Sequence, residues 1–381
     1  MKKNKIVIGI VVIFIVLILA VFGLLMYHLF TTNMAQTNGK LENEATENQI
    51  ANMQKTNNEE ANINNLAENQ TIIEPILNPI IPNNNATEEN ESTVSKYYYS
   101  QLDETAKKLY EGLKNNKERL ISGNYTIDYG TQFNTILNSE EGEQKFNQAF
   151  QSAWNAFSYD NVDLFYINVV KLTLTNEYTN LGGIKTYKIS IGPGNNGNYF
   201  QDTFKSKQEV ENAKSYLEDI KKQMIQQTAS DDVYTKIAKV HNWLIYFVDY
   251  QNNDTSKDQH TIYGTLKNGK AVCEGYARAF KYLMDGVGVP CVLVSGTATN
   301  SQGQTENHAW NYVQINDVWY AVDVTWDDPI VTGGEQTTQM KQRYFLKGSD
   351  EFLKDHKTDG KISEQSITFK FPTLSKENYT R

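Results

Sequence analysis

The sequence predicts an α+β chain whose working half is a cysteine-bearing helix packed on an antiparallel sheet. Three observations carry that prediction. The stretch "GKAVCEGYARAF" (269–280) reads as a turn followed by an amphipathic helix that begins at Cys273. The stretch "HAWNYVQINDVWYAVDVTWDDP" (308–329) reads as a β-hairpin, because two alternating runs flank the two-residue turn signal Asn316–Asp317. Ahead of both, residues 96–227 mix helical and β-rich patterns, which marks a smaller α+β domain preceding the second one at 228–381.

The chain has 381 residues, enough for two folded domains and extra segments. At its start, Lys2, Lys3 and Lys5 precede an uncharged run from Ile6 to Phe30. Crossing a bilayer takes ~20 apolar residues, so 6–30 is expected to be a transmembrane helix. A cleaved secretory signal is the other reading; it has a shorter apolar core and a small-residue cleavage site, and none is evident after Phe30. The next lysine is Lys40, so the positive-inside rule keeps residues 1–5 in the cytoplasm. The expected localisation is the cell membrane, single-pass, with the C-terminal domains extracellular. Residues 31–95 are rich in Asn, Glu, Gln and Thr and lack aromatics, which reads as a disordered stalk.

Within 96–227, Leu102, Ala106, Leu109 and Leu113 predict a helix over 101–120. Phe146, Phe150, Trp154 and Phe157 predict another over 143–158. "DLFYINVVKLTLT" (163–175) and "TYKISIG" (186–192) alternate as strands do. Val210, Ala213, Leu217, Ile220 and Met224 predict a further helix. Nothing here has catalytic spacing. From Ser230, with Asp231 and Asp232, a new helix starts, buried along Val233, Ile237, Val240, Leu244 and Phe247. His241 lies beside that stripe and reads as structural. The polar loop "YQNNDTSKDQH" (250–260) lacks the Gly and final Glu of a calcium loop, so no metal or cofactor is expected.

The formal charge of −9 argues against a nucleic-acid partner, since phosphate binding wants a basic face. Two cysteines make no disulfide framework. Cys291, in "VPCVLVSG", reads as a small core residue of a strand; a disulfide to Cys273 is the alternative and would silence any chemistry there. Cys273 lies in the first turn of its helix, where unpaired N–H groups and the positive end of the dipole stabilise a thiolate and an oxyanion. A nucleophilic cysteine needs a base, and the base an orienter. With Asn316–Asp317 as the turn, Ile315 faces Val318, Trp310 faces Asp323 and His308 faces Thr325. His308 and Asp323 are then diagonal neighbours on one face, within reach of a hydrogen bond. A carboxylate amid "AVDVT" is costly to bury without such a partner.

Together "GKAVCEGYARAF", "HAWNYV" and "WYAVDVTWDDP" resemble the core motifs of the transglutaminase-like superfamily, over roughly 230–330 and in the tail "YFLKGSDEF". Asn-, Lys- and Ile-rich composition with 7 Pro resembles proteins of AT-rich bacteria. The resemblance implies a papain-like fold with Cys273, His308 and Asp323 as the catalytic set. It also implies attack on a peptide or protein amide through a thioester, resolved by water in a peptidase or amidase and by an amine in a transamidase. Val272 and Glu274 stand where the animal enzymes have Gln and Trp, so the resemblance does not by itself imply their cross-linking activity. Bacterial relatives with short Cys–His–Asp cores look closer. Topology points to cell-envelope substrates, cell-wall peptide among them. The rival reading is a non-catalytic surface adhesin or scaffold that keeps the fold.

Overall fold

The computed structural model describes residues 96–251, 258–328, 337 and 340–381. The expected transmembrane segment at 6–30 and the stalk at 31–95 lie outside the described residues. No helix among the described residues is long and apolar enough to cross a membrane.

The first part is built on helices α1 (Glu104–Asn115), α2 (Lys117–Leu120), α3 (Asn134–Leu137) and α4 (Gly142–Asp160). They pack beside a three-stranded antiparallel sheet of β1 (Ile127–Gly130), β2 (Thr173–Leu181) and β3 (Ile184–Gly192), in the order β1-β3-β2. Asp103 starts α1 by accepting the Ala106 N–H, and the helix buries Ala106, Leu109, Tyr110 and Leu113. The expected strand at 163–175 forms only from Thr173. Leu164, Phe165, Tyr166 and Ile167 are buried in a turn-rich segment instead. Their β-rich composition was misleading because each of the four is buried in the core, with no solvent face between.

Helix α5 (Lys207–Gln227) leads into α6 (Val233–Phe247), whose cap is Asp232 and not Ser230. After a two-residue parallel pairing of β4 (Asp249–Tyr250) with β5 (Lys270–Ala271), and the short α7 (Ile262–Asn268), the chain enters α8 (Cys273–Gly286). Gly275 is needed at this entry: a Cβ there would lie 2.3 Å from the Gln259 carbonyl oxygen. Tyr276, Ala277, Phe280, Leu283 and Met284 form the buried face of α8.

That face rests on a four-stranded antiparallel sheet, order β8-β7-β6-β9, of β6 (Cys291–Thr299), β7 (Thr305–Ile315), β8 (Val318–Val322) and β9 (His356–Thr358). The Asn311 side-chain amide donates to the Ala277 carbonyl at 3.0 Å and ties helix to sheet. The β7–β8 hairpin has the expected register, Ile315 opposite Val318 and Asn311 opposite Val322. Asn316 and Asp317 have φ of 50° and 63°, the left-handed pair that a two-residue hairpin turn requires. The last short helix is α9 (Ser349–Phe352).

The 96–227 and 228–381 segments share one continuous hydrophobic core. The Tyr98 hydroxyl donates to the Leu293 carbonyl on β6, and its ring meets Phe369 edge-on at 5.2 Å.

Gly296 on β6 is flanked by His308 on β7 and Thr358 on β9. A Cβ there would lie 2.1 Å from the Lys357 carbonyl oxygen and 2.7 Å from the Trp310 ring. Gly296→Ala is therefore expected to force β9 off the sheet edge and cost about 2 kcal/mol or more, read from the denaturant midpoint. An unchanged midpoint would contradict this packing.

Candidate active site

Cys273 occupies the first turn of α8 and is partly exposed, while His308 lies buried in the middle of β7. Asp323 follows β8 directly and is fully buried. The strand stops at Val322, so the expected Trp310–Asp323 and His308–Thr325 ladder pairs do not form. The reason is local. Asp323 Oδ1 accepts the backbone N–H groups of Thr325 at 3.0 Å and Trp326 at 3.2 Å, which bends the chain into a turn. Its other oxygen, Oδ2, accepts from His308 Nε2 at 2.8 Å. The predicted imidazole–carboxylate contact is thus present, made from a turn.

With Nε2 committed to Asp323, the other nitrogen of His308, Nδ1, is the one left for the thiol, and Cys273 lies near enough to this ring to help hold its proton. The structure therefore brings all three predicted residues together in the order thiol, imidazole, carboxylate. Burial would lower the His308 pKa, but the charge and hydrogen bond of Asp323, helped by Cys273, outweigh it and raise it. Burial would likewise raise Asp323, yet His308 and a second histidine hold its carboxyl well below the usual carboxylate range. The two shifts describe one ion pair. The aromatic wall over it is Trp326, whose ring lies 5.3 Å from that of His308, and Trp310 at 6.0 Å.

The second histidine is His356, on β9, which sequence reasoning missed. Its Nε2 is 3.1 Å from the same Asp323 Oδ2. The donor atoms of His308, Asp323 and His356 all lie within 4.8 Å of one another, the one such cluster of potential metal donors among the described residues. One nitrogen of each ring lies at hydrogen-bond distance from the same carboxylate oxygen, however, 2.8 Å for His308 and 3.1 Å for His356. The cluster is a hydrogen-bonded one and no metal is assigned to it.

Glu274, next to the nucleophile, is tied to Arg278 at 2.9 Å and His260 at 3.1 Å. Its carboxylate is thereby committed to neighbours on its own side of the helix. His241 is buried, with Nε2 3.0 Å from Asp327 Oδ2, in keeping with a structural role. Cys291 is buried, its thiol pushed far up by burial, and both cysteines are free. Cys291 thus sits in the core as expected of it.

A cleft of about 700 Å³ flanks the site, lined by Tyr250, Glu306, Thr325, Trp326, Arg343 and Asp355 among others. A larger depression of about 990 Å³, lined by Glu141, Lys145 and Glu364 among others, holds no Cys or His and lies apart from this chemistry.

Comparison with known proteins places the same segment. Residues 219–324, which contain all three site residues, match the family model described as the transglutaminase-like superfamily. Kyphoscoliosis peptidase of mouse (Mus musculus) is 29% identical over 160 residues, covering 39% of this chain and 24% of that protein. The human (Homo sapiens) protein of that name is 28% identical over 161 residues, covering 39% and 24%. The chain therefore spans about a quarter of the length of these curated relatives. Among solved structures, that of a TGase is 16% identical with a TM-score of 0.26, covering 47% of this chain and 50% of that chain.

Proposed function

We propose that this chain, whose residues 219–324 carry the core of the transglutaminase-like superfamily, is a thiol enzyme that breaks amide bonds of peptides or proteins. The observation that carries the reading is His308 held between Cys273 and a buried Asp323, with Cys273 at a helix start.

The steps follow from the geometry. His308 takes the thiol proton, and the imidazolium is stabilised by Asp323. The thiolate attacks the amide carbonyl, whose oxygen gains charge at the first-turn N–H groups of α8. The C–N bond breaks as His308 returns the proton to the leaving amine, and the acyl group stays on sulfur as a thioester. Water, deprotonated by His308, then releases the acid and restores the thiol.

Hydrolysis is the resolution proposed for the thioester, since Thr299, Asn300, Ser301, Glu306 and Asp355 of the flanking cleft offer polar groups to an incoming water. Anchoring through residues 6–30 and action outside the cell on envelope peptides complete the proposal, resting on the charge asymmetry of the N-terminus.

The test is an amidase assay of the purified protein on peptide libraries, with and without a primary amine. Release of a free carboxylate that added amine does not divert is the expected result. Amine incorporation in preference to acid would replace hydrolysis by transamidation, and no turnover with either would overturn the enzyme reading.

A further inference from the structure

We propose that His356 is a positioning residue of this site, a doubly protonated imidazole bridging Asp355 and Asp323 that fixes the Asp323 carboxylate and eases release of the proton on His308. The inference rests on the Cys–His–Asp reading above. It starts from geometry. His356 is buried, its Nε2 is 3.1 Å from Asp323 Oδ2, and its Nδ1 is 2.7 Å from Asp355 Oδ1. Ionised carboxylates only accept hydrogen bonds, so each ring nitrogen must carry a hydrogen.

The ring has no freedom to turn away. It stacks on Phe352 at 4.0 Å, and Trp326, Trp310 and Tyr344 enclose it at 4.7, 5.1 and 5.2 Å. Its cross-strand neighbour on β6 is Ala298. The titratable groups that face it are Asp323, Asp355, His308 (ring centroid 5.7 Å away) and Tyr344, whose hydroxyl donates to Asp355 Oδ2 at 2.8 Å. The nearby cations are engaged elsewhere, Lys354 with Glu351 at 2.8 Å and Arg343 over the Tyr344 ring. Asp355 lines the cleft and is partly exposed, so a hydrogen-bonded chain runs from the cleft wall through His356 and Asp323 to His308.

The consequence concerns proton affinity. Asp323 Oδ2 is shared by two N–H donors, so His308 receives only part of that oxygen's pull. The second cation also opposes protonation of His308. Without it, His308 would hold its proton more tightly, and the alkaline limb of the rate profile, where imidazolium is lost, would move to higher pH. Two charges at this separation in a protein interior make that shift about one to two pH units.

The experiment uses the full chain with ¹⁵N-labelled histidine. In the Cys273→Ala protein, ¹⁵N shifts of His356 are expected to show both nitrogens protonated at pH 7. Adding His356→Gln, which keeps an N–H donor without the charge, should raise the His308 titration midpoint by about one to two units. In the active protein, His356→Gln should move the alkaline limb of kcat/KM the same way and lower kcat about tenfold with KM little changed. Asp355→Asn, on the exposed side, should produce the same upward shift where His356→Gln does not fold. A neutral tautomer at His356, or a His308 midpoint and pH profile unmoved by either variant, would overturn the proposal. The NMR arm needs no turnover, so failure of the relay and failure of the enzyme reading are read separately.

Discussion

Cys273→Ala is expected to lower turnover by about 10⁴-fold or more while leaving the fold intact. The side chain sits at the start of α8 and is partly exposed, so its removal opens no deep cavity. The buried face of the helix is carried by Tyr276, Phe280 and Leu283, which the substitution does not touch. Steady-state kinetics beside a thermal melt checks both halves. Full activity in the variant would remove Cys273 from the mechanism. A lost fold would mean that the residue serves packing.

Asp323 is where activity and stability fall together. Four N–H groups converge on its carboxylate, two from the following turn and two from imidazoles. Asp323→Ala leaves all four without an acceptor in a dry place, and a loss of about 3–5 kcal/mol is expected. Asp323→Asn keeps one oxygen for the turn but sets an amide against the histidines. His308 then loses its fixed orientation, and kcat is expected to drop about 10³–10⁴-fold while weak activity survives.

The pH dependence has a definite sign. The Asp323 carboxyl is depressed in the fold, so its contribution is present above the unfolded carboxylate value near ~4 and is lost as pH falls through the folded one. The pKa of His308 is raised in the fold, so its contribution is present below ~6.5 and is lost as pH rises through the raised value. The stability gap between wild type and Asp323→Asn should therefore be widest between about pH 4 and 6.5 and narrow on either side. Denaturant midpoints at acid, intermediate and alkaline pH measure it. A gap independent of pH would contradict the ion pair.

Much of this site was legible because it is local. Cys273 announces itself by the helix it begins, and the Asn316–Asp317 turn dictates which residues of the hairpin face one another. Register predicted the His308–Asp323 contact even though the ladder ends one residue short. That ending is set by a carboxylate preferring the N–H groups of its own turn, a competition that alternation does not reveal.

His356 was illegible for a different reason. It sits in a three-residue strand of polar flanks and reaches Asp323 only because β9 pairs with β6 across Gly296. No periodicity in "KDHKTDG" marks it; the fold alone brings it in. The segment from Leu164 to Ile167 failed in the opposite sense, since buried aromatics in a turn imitate a strand when burial is read only from sequence.

If Cys273 is the nucleophile, its reactivity depends on His308. The measurement closest to it is the rate of alkylation by iodoacetamide at each cysteine, resolved by peptide mass mapping, in wild type and His308→Ala. Cys291 is a built-in control, buried and of raised pKa. Rapid labelling of Cys273 at neutral pH is expected, with none of Cys291 in the folded protein and at least about tenfold slower labelling of Cys273 without the imidazole. Cys273 labelling at the rate of a free peptide thiol, indifferent to His308, would contradict this expectation.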